Sequence, residues 1–256
     1  NRDFRYGGSN SQGINGSMPS SERNGYREEW AHGAMLNFAS GFTQGTIGFG
    51  TDAFAYGGVK LDTGRGRAGN GLLPISNNRT AEADVPDAYG ESGGAVKMRI
   101  SSTVLKYGEQ RPTAPVFATG DNRLLPETAT GFQLTSNEFD ALSLEGGHFT
   151  AFNNRNSTNS DDGLFTTYGG TEADSVDFVG GTYKINENLI LKAYTSEAVN
   201  VWRQHFGSAS YTIPLADKQS LNFGLAAYKT GDQGDARAGK IDTTSWSAKA
   251  AYSLGA

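Results

Sequence analysis

Hydrophobic and polar residues take turns, one for one, along most of this chain. Residues 45–61 alternate over their whole length. Gly45, Ile47, Phe49, Ala53, Ala55, Val59 and Leu61 fall on one side, and Thr46, Gly48, Asp52, Tyr56 and Lys60 on the other. A period of two sends successive side chains to opposite faces of a strand. The rhythm also runs through residues 30–38, where Trp30, His32, Ala34, Leu36 and Phe38 make the more apolar face. It returns where Val96, Met98 and Ile100 alternate with Lys97, Arg99 and Ser101. It is cleanest at the end, where Thr244, Trp246, Ala248, Ala250, Tyr252 and Leu254 oppose Ser245, Ser247, Lys249, Ala251 and Ser253. Helix signals are missing. The pattern predicts a strand tail over 1–6 and strands over 30–38, 45–61, 96–107, 131–139, 142–152, 164–169, 175–185, 189–198, 202–213, 220–229 and 243–254.

The connections alternate too. Short ones at 40–41, 140–141, 186–187 and 214–218 take turns with long ones at 7–25, 62–93, 111–130, 153–163 and 230–242. Short turns on one rim and long loops on the other, joining strands of about ten residues, is the pattern of an outer-membrane barrel. The totals agree. The chain has 256 residues, 35 Gly, 11 Tyr and 14 Phe, as expected of many hairpins. Its mean hydropathy of -0.49 would ordinarily indicate a soluble protein. A barrel escapes that inference, because only every second residue faces lipid. No apolar run approaches the ~20 residues of a spanning helix. Cys is absent, so disulfides and thiolate metal sites are excluded. A net charge of -5 without a basic stripe argues against nucleic acid.

The predicted fold is therefore all-β, an antiparallel transmembrane barrel occupying residues 1–256 as a single domain, with about 11–12 strands in this chain. The chain opens inside a strand and ends at Ser253-Leu254-Gly255-Ala256 without a terminal aromatic. An open sheet would leave unpaired backbone in lipid, so the domain is expected to be truncated at both ends, with more strands beyond Ala256.

Residues 111–130 stand apart. Pro112, Pro115 and Pro126 deny them regular structure, while Val116, Phe117, Leu124 and Leu125 ask for burial. A long, partly apolar loop among antiparallel strands fits inside a wide barrel, where it narrows the lumen.

Two motif matches fail on context. Gly64, Gly66 and Gly69 satisfy G-x-G-x-x-G, but Asn70-Gly71-Leu72-Leu73-Pro74 begins no helix, as a dinucleotide site requires. Gly90-Glu91-Ser92-Gly93-Gly94 satisfies G-x-S-x-G, but a strand follows where a nucleophile elbow needs a helix. His32, His148 and His205 have no assignable partner, and no cluster has metal-ligand spacing. No enzyme activity and no cofactor is expected. The aromatics Trp30, Phe38, Phe49, Tyr107, Trp202, Tyr211, Phe223, Trp246 and Tyr252 read as the girdle at the membrane interfaces.

Several blocks carry a family resemblance: residues 1–4, 40–50, 112–118, 128–134, 147–150 and 211–215. Through them the chain resembles the OprD family of Pseudomonas-type outer-membrane porins. The resemblance implies a barrel of about eighteen strands in the full protein. It also implies a substrate-specific channel for small carboxylate-bearing nutrients, in which the third long loop folds inward as an eyelet and a ladder of basic residues guides the carboxylate. The Pro-rich loop matches that third loop. One branch of the family takes up basic amino acids and peptides; the other prefers monocarboxylates, often aromatic. Arg123 and the segment at 154–158 look more like the second branch. Outer-membrane lipid, lipopolysaccharide and a homotrimeric assembly are the partners implied.

An inward cation in a narrow lumen attracts anions, and Arg offers a planar fork that matches a carboxylate. The substrate-binding candidates are Arg123 on the Pro-rich loop, Arg155 in the next long loop, Arg2 and Arg5 on the first strand, and Lys97 and Arg99, inward by alternation. Asp121, Asn122 and Glu127 make the opposing, acidic side. Two other classes compete. A structural or adhesive barrel would have a plugged lumen, and an outer-membrane hydrolase would depend on Ser92.

Overall fold

A computed structural model describes residues 2–5, 26–64, 67–75, 85–165, 170–216 and 218–254; the side chains of Arg2–Arg5, Tyr26 and Phe165 lie outside that description. Among the described residues there is no helix. Twelve strands form one sheet: β1 (Arg2–Arg5), β2 (Tyr26–Ala39), β3 (Ile47–Asp62), β4 (Ala88–Ile100), β5 (Thr103–Gln110), β8 (Thr128–Phe139), β9 (Leu142–Asn153), β12 (Val176–Lys184), β13 (Leu189–Ala198), β14 (Trp202–Pro214), β15 (Ser220–Asp232) and β16 (Asp242–Ser253). Each is antiparallel to its neighbour, in chain order throughout. Two small hairpins sit in the long connections: β6 (Thr113–Ala114) with β7 (Phe117–Ala118), and β10 (Leu164–Phe165) with β11 (Glu172–Ala173).

The two faces of the sheet are inverted relative to a soluble protein. In β3 the odd-numbered side chains are exposed, while Gly48, Tyr56 and Gly58 are buried. The exposed set is apolar: Leu36 is 71% exposed, Leu225 62% and Trp246 77%. A continuous exposed apolar wall of this kind is what lipid would cover. The buried clusters lie on the other face, where the long loops pack against the strands. One joins Leu72, Leu73 and Leu125 to Ala31, Tyr56 and Tyr89. Another joins Ala114 and the partly buried Phe117 to Phe149, Phe178 and Tyr194.

One loop shows that the sheet curls. A Cβ placed on Gly33 of β2 would stand 3.0 Å from Leu124 of the Pro-rich loop. The Tyr228 hydroxyl of β15 donates to the Pro115 carbonyl of the same loop at 3.3 Å. Strands near both edges of the sheet thus touch one inserted loop, so the sheet wraps around it.

The expected elements hold over most of the chain; β13 spans 189–198 as predicted. Four expectations are corrected. Residues 96–107 are not one strand but two, split by a turn at Ser101 and Ser102. Ser101 takes φ 53, and Glu138 accepts from Ser102 N at 2.8 Å and from the Ser101 hydroxyl at 2.9 Å. The turn carries no Gly, Pro or Asn, so its signal was absent. The long polar connection ends earlier than 93, because β4 begins at Ala88. The strand expected over 164–169 is confined to Leu164 and Phe165, with 166–169 outside the described residues. The Pro-rich loop is not wholly irregular, since it carries the β6–β7 hairpin.

Candidate functional site in the barrel lumen

The Pro-rich loop, residues 111–127, crosses the enclosed space and is fixed at several points. Pro112 and Pro126 are fully buried at its two ends. Between them Thr119 N donates to the Pro112 carbonyl at 3.1 Å. Glu127 closes the loop twice: its amide donates to the Gly120 carbonyl at 2.8 Å, and its carboxylate accepts from Gly120 N at 2.6 Å. Phe117 drives into the wall, its ring 5.0 Å from Phe149 and 6.1 Å from Phe178. Burying an aromatic of this size contributes on the order of 2–3 kcal/mol. The prolines that deny a helix or strand therefore supply a rigid, apolar-footed insertion.

Charged groups meet on this loop. The Arg155 guanidinium, from the connection after β9, contacts the Glu127 carboxylate at 3.1 Å and donates to the Asn122 side-chain carbonyl. Arg111 contacts Asp121 at 2.7 Å. Arg123 donates to the Asn122 carbonyl at 2.8 Å. Arg123, Arg155, Asp121, Asn122 and Glu127 thus share one region, with Arg111 as an unforeseen member; Asp121, Asn122 and Glu127 do not stand opposite the guanidinium groups, as expected, but bind them directly.

Beside Arg155 lies a cavity of about 460 Å³. Its walls include Phe117, Phe152, Leu164, Val176 and Trp202, with Arg155 and Glu127 supplying the charge. Trp202 is half-buried here, which corrects its assignment to the outer girdle. The other eight aromatics of that set are exposed, between 44% and 77%.

The strand walls carry further charge. Asp52 accepts from Lys97 at 2.6 Å and from Lys106 at 2.6 Å, a three-residue bridge across β3, β4 and β5. Lys97 therefore does face inward, but it shares the Asp52 carboxylate with Lys106. Arg99 lies nearer the short-turn rim, its guanidinium 4.7 Å from the Phe42 ring. These two cations do not gather with Arg155. Carboxylates line the wall as well: Glu91 accepts from Asn153, Glu109 from the Thr128 hydroxyl at 2.6 Å, and Glu145 from the Tyr194 hydroxyl at 2.7 Å. Sequence reasoning passed over all three. Alternation marks Glu91 and Glu145 as inward, whereas Glu109 shares the parity of the exposed Tyr107 and faces inward only past the irregular Gly108, at φ 131. The backbones of Arg2 and Arg5 pair with Glu29 and Tyr26, and their side chains lie outside the described residues. Ser92, by contrast, is exposed and paired with Ala55, whose side chain lies on the apolar outer face.

The largest omission is Glu29. It is fully buried, and four backbone N–H groups converge on its carboxylate. Gly69 and Asn70 donate to Oε1 at 2.6 and 3.2 Å, and Leu72 and Leu73 to Oε2 at 2.8 and 3.0 Å. Gly69 (φ 106) and Gly71 (φ 77) adopt the left-handed conformations that let the chain wrap around it. The glycine-rich stretch that mimics a phosphate loop does cradle an anion, and the anion is the protein's own carboxylate.

Comparison with known proteins gives the family. The family model described as outer membrane porin, OprD family, matches residues 1–256. Porin D of Pseudomonas aeruginosa is 50% identical over 91% of this chain and 52% of its own length. The porin-like protein GalP of Pseudomonas putida is 34% identical over 90% of this chain and 55% of its own. This chain thus spans about half the length of the curated relatives it matches. Among solved structures, Pseudomonas aeruginosa OpdK with vanillate superposes with a TM-score of 0.80 at 33% identity, covering 89% of this chain and 58% of that one. OccK9 of the same organism gives 0.84 at 32% identity, covering 92% and 60%. An OccD1 (OprD) variant gives 0.73 at 48% identity, covering 89% and 52%. The chain belongs to the OprD family of outer-membrane porins.

Proposed function

We propose that this protein is a substrate-selective channel for passive uptake of small carboxylate-bearing solutes across the outer membrane, with aromatic monocarboxylates such as benzoate as its preferred class. The inserted loop at 111–127 acts as the eyelet. The solute gradient drives passage, and the protein supplies a low-barrier path without covalent chemistry. The observation that carries the reading is Arg155. Its guanidinium stands at the eyelet beside an apolar, aromatic-walled cavity of about 460 Å³. A guanidinium next to an apolar wall matches both halves of an aromatic carboxylate. Arg155 already bonds Glu127 and Asn122, so an entering carboxylate exchanges one partner for another and is released as readily as it is taken up. Arg123 stands next to Asn122 on the same loop and acts as the second guiding cation. The exposed apolar face is the surface that lipid and lipopolysaccharide would cover. The test is uptake by the full-length protein carrying Arg155→Ala or Arg123→Ala. Benzoate flux should fall more than that of a neutral solute of equal size; equal losses would remove the guiding role.

A second reading within the same family is a channel for basic amino acids or peptides. Asp52, Glu91, Glu109, Glu127 and Glu145 line the interior, which suits a solute carrying an amine as well as a carboxylate. The chain is also more similar to porin D, at 50%, than to OpdK, at 33%. Competition between benzoate and arginine for one open channel separates the two readings.

A further inference from the structure

We infer that Glu29 is a positioning residue for the passage, holding a second loop against the eyelet so that the narrowest part is built by two inserted segments rather than one. The inference rests on the channel reading above. Four convergent N–H donors on one fully buried carboxylate leave residues 69–73 little freedom. Those residues also touch the rest of the site. Leu72 and Leu73 pack in one cluster with Leu125, and Leu124 lies against it. The Tyr89 hydroxyl donates to the Leu72 carbonyl at 3.0 Å, and Asn156, next to Arg155, donates to the Leu73 carbonyl at 3.5 Å. A Cβ on Gly71 would stand 3.8 Å from Arg123 Nε. The anchored segment therefore borders Arg123 directly and the Arg155 connection through Asn156. β2 itself is tied to the same loop at Arg27, whose guanidinium donates to the Gly69 carbonyl at 2.7 Å, and at Glu28, whose amide donates to the Arg67 carbonyl at 2.9 Å.

The chemistry explains why a carboxylate is required. A buried carboxylate held by four amide donors loses stabilisation as those amides leave. Glu29→Gln keeps the size but presents an NH₂ group to two of those donors, so half the cradle turns repulsive. The loop then leaves its seat, Leu72 and Leu73 with it, and the opening widens on the side of Arg123.

The experiment is single-channel recording of the full-length protein in planar bilayers, wild type against Glu29→Gln and Gly71→Ala. The second variant disturbs the cradle independently, because φ 77 strains any residue with a Cβ. Both should raise conductance by about two-fold and bring the benzoate-to-neutral-solute permeability ratio toward one. Glu138→Gln, at the opposite rim, should do neither. If the wild type opens in discrete steps and both cradle variants match it in conductance and permeability ratio, the inference is overturned. If the wild type shows no openings, the channel reading itself fails. If Glu29→Gln does not assemble, Gly71→Ala carries the same comparison.

Discussion

Arg155 and Glu127 meet at 3.1 Å where two loops from different connections converge inside the barrel. Their side chains are 22% and 11% exposed, so the pair is screened by little water. Each partner is held by a second contact, Arg155 by Asn122 and Glu127 by Gly120 N. Such an arrangement fixes the guanidinium on the inserted loop.

Removing the guanidinium should invert the preference of the eyelet. In Arg155→Ala, Glu127 remains without its cation and repels carboxylates. The benzoate-to-lysine permeability ratio should fall by about ten-fold, equivalent to ~1.4 kcal/mol at the barrier. Reversal potentials under opposed gradients measure it.

Asp52 should act in the opposite sense. Its single negative charge offsets one of the two positive charges of Lys97 and Lys106 on the inner wall. Asp52→Asn raises the local charge from +1 to +2, and anion-over-cation permeability should rise by roughly two- to three-fold. A fall would show that the lysines do not face the conducting path.

Phe149 should govern how firmly the eyelet loop is seated. It is fully buried and stacks against Phe178 at 6.2 Å and Phe117 at 5.0 Å. Phe149→Ala should cost ~3–5 kcal/mol and let the loop fluctuate. Unfolding in detergent should shift to lower denaturant, and the open-channel current should become noisier.

One outer contact should loosen in acid. The Arg237 guanidinium donates to Asp174 at 2.8 and 3.1 Å, with Asn200 donating at 2.7 Å. Those bonds, Arg237 first, hold the Asp174 carboxyl below its ordinary value of 3.8. A depressed carboxyl stabilises the folded form above its unfolded pKa, and the contribution is lost as pH falls through the folded one. The clasp between the loops at 172–175 and 233–241 should therefore be intact at neutral pH and open only below the normal aspartate range. Amide exchange at Arg237, compared between wild type and Asp174→Asn, reads this. Pre-opened exchange at neutral pH is expected in the variant alone.

Strand placement was legible because alternation is enforced along the whole wall: one face meets lipid, the other the lumen. The ends of β13, β14 and β16 fall within a residue of expectation for that reason. Ser101 and Ser102 were missed because their turn is held by Glu138, 36 residues from Ser102, a partner that no local pattern reveals. The Pro-rich loop announced its burial through Phe117 and Leu125, but the expected opposition of Arg155 and Glu127 across the site is replaced by direct contact, because two different connections bring them together. Glu29 was invisible for the converse reason. A glutamate between Glu28 and Trp30 looks solvated, and only the fold shows four amides from residues 69–73 closing on it.

The most direct test is single-channel conductance of the full-length protein, with benzoate and then arginine added to one side. Discrete openings that benzoate interrupts or carries are expected, with weaker effects in Arg155→Ala. Openings modulated by arginine alone would contradict the carboxylate assignment in favour of the basic-amino-acid reading, and the absence of openings would contradict the channel.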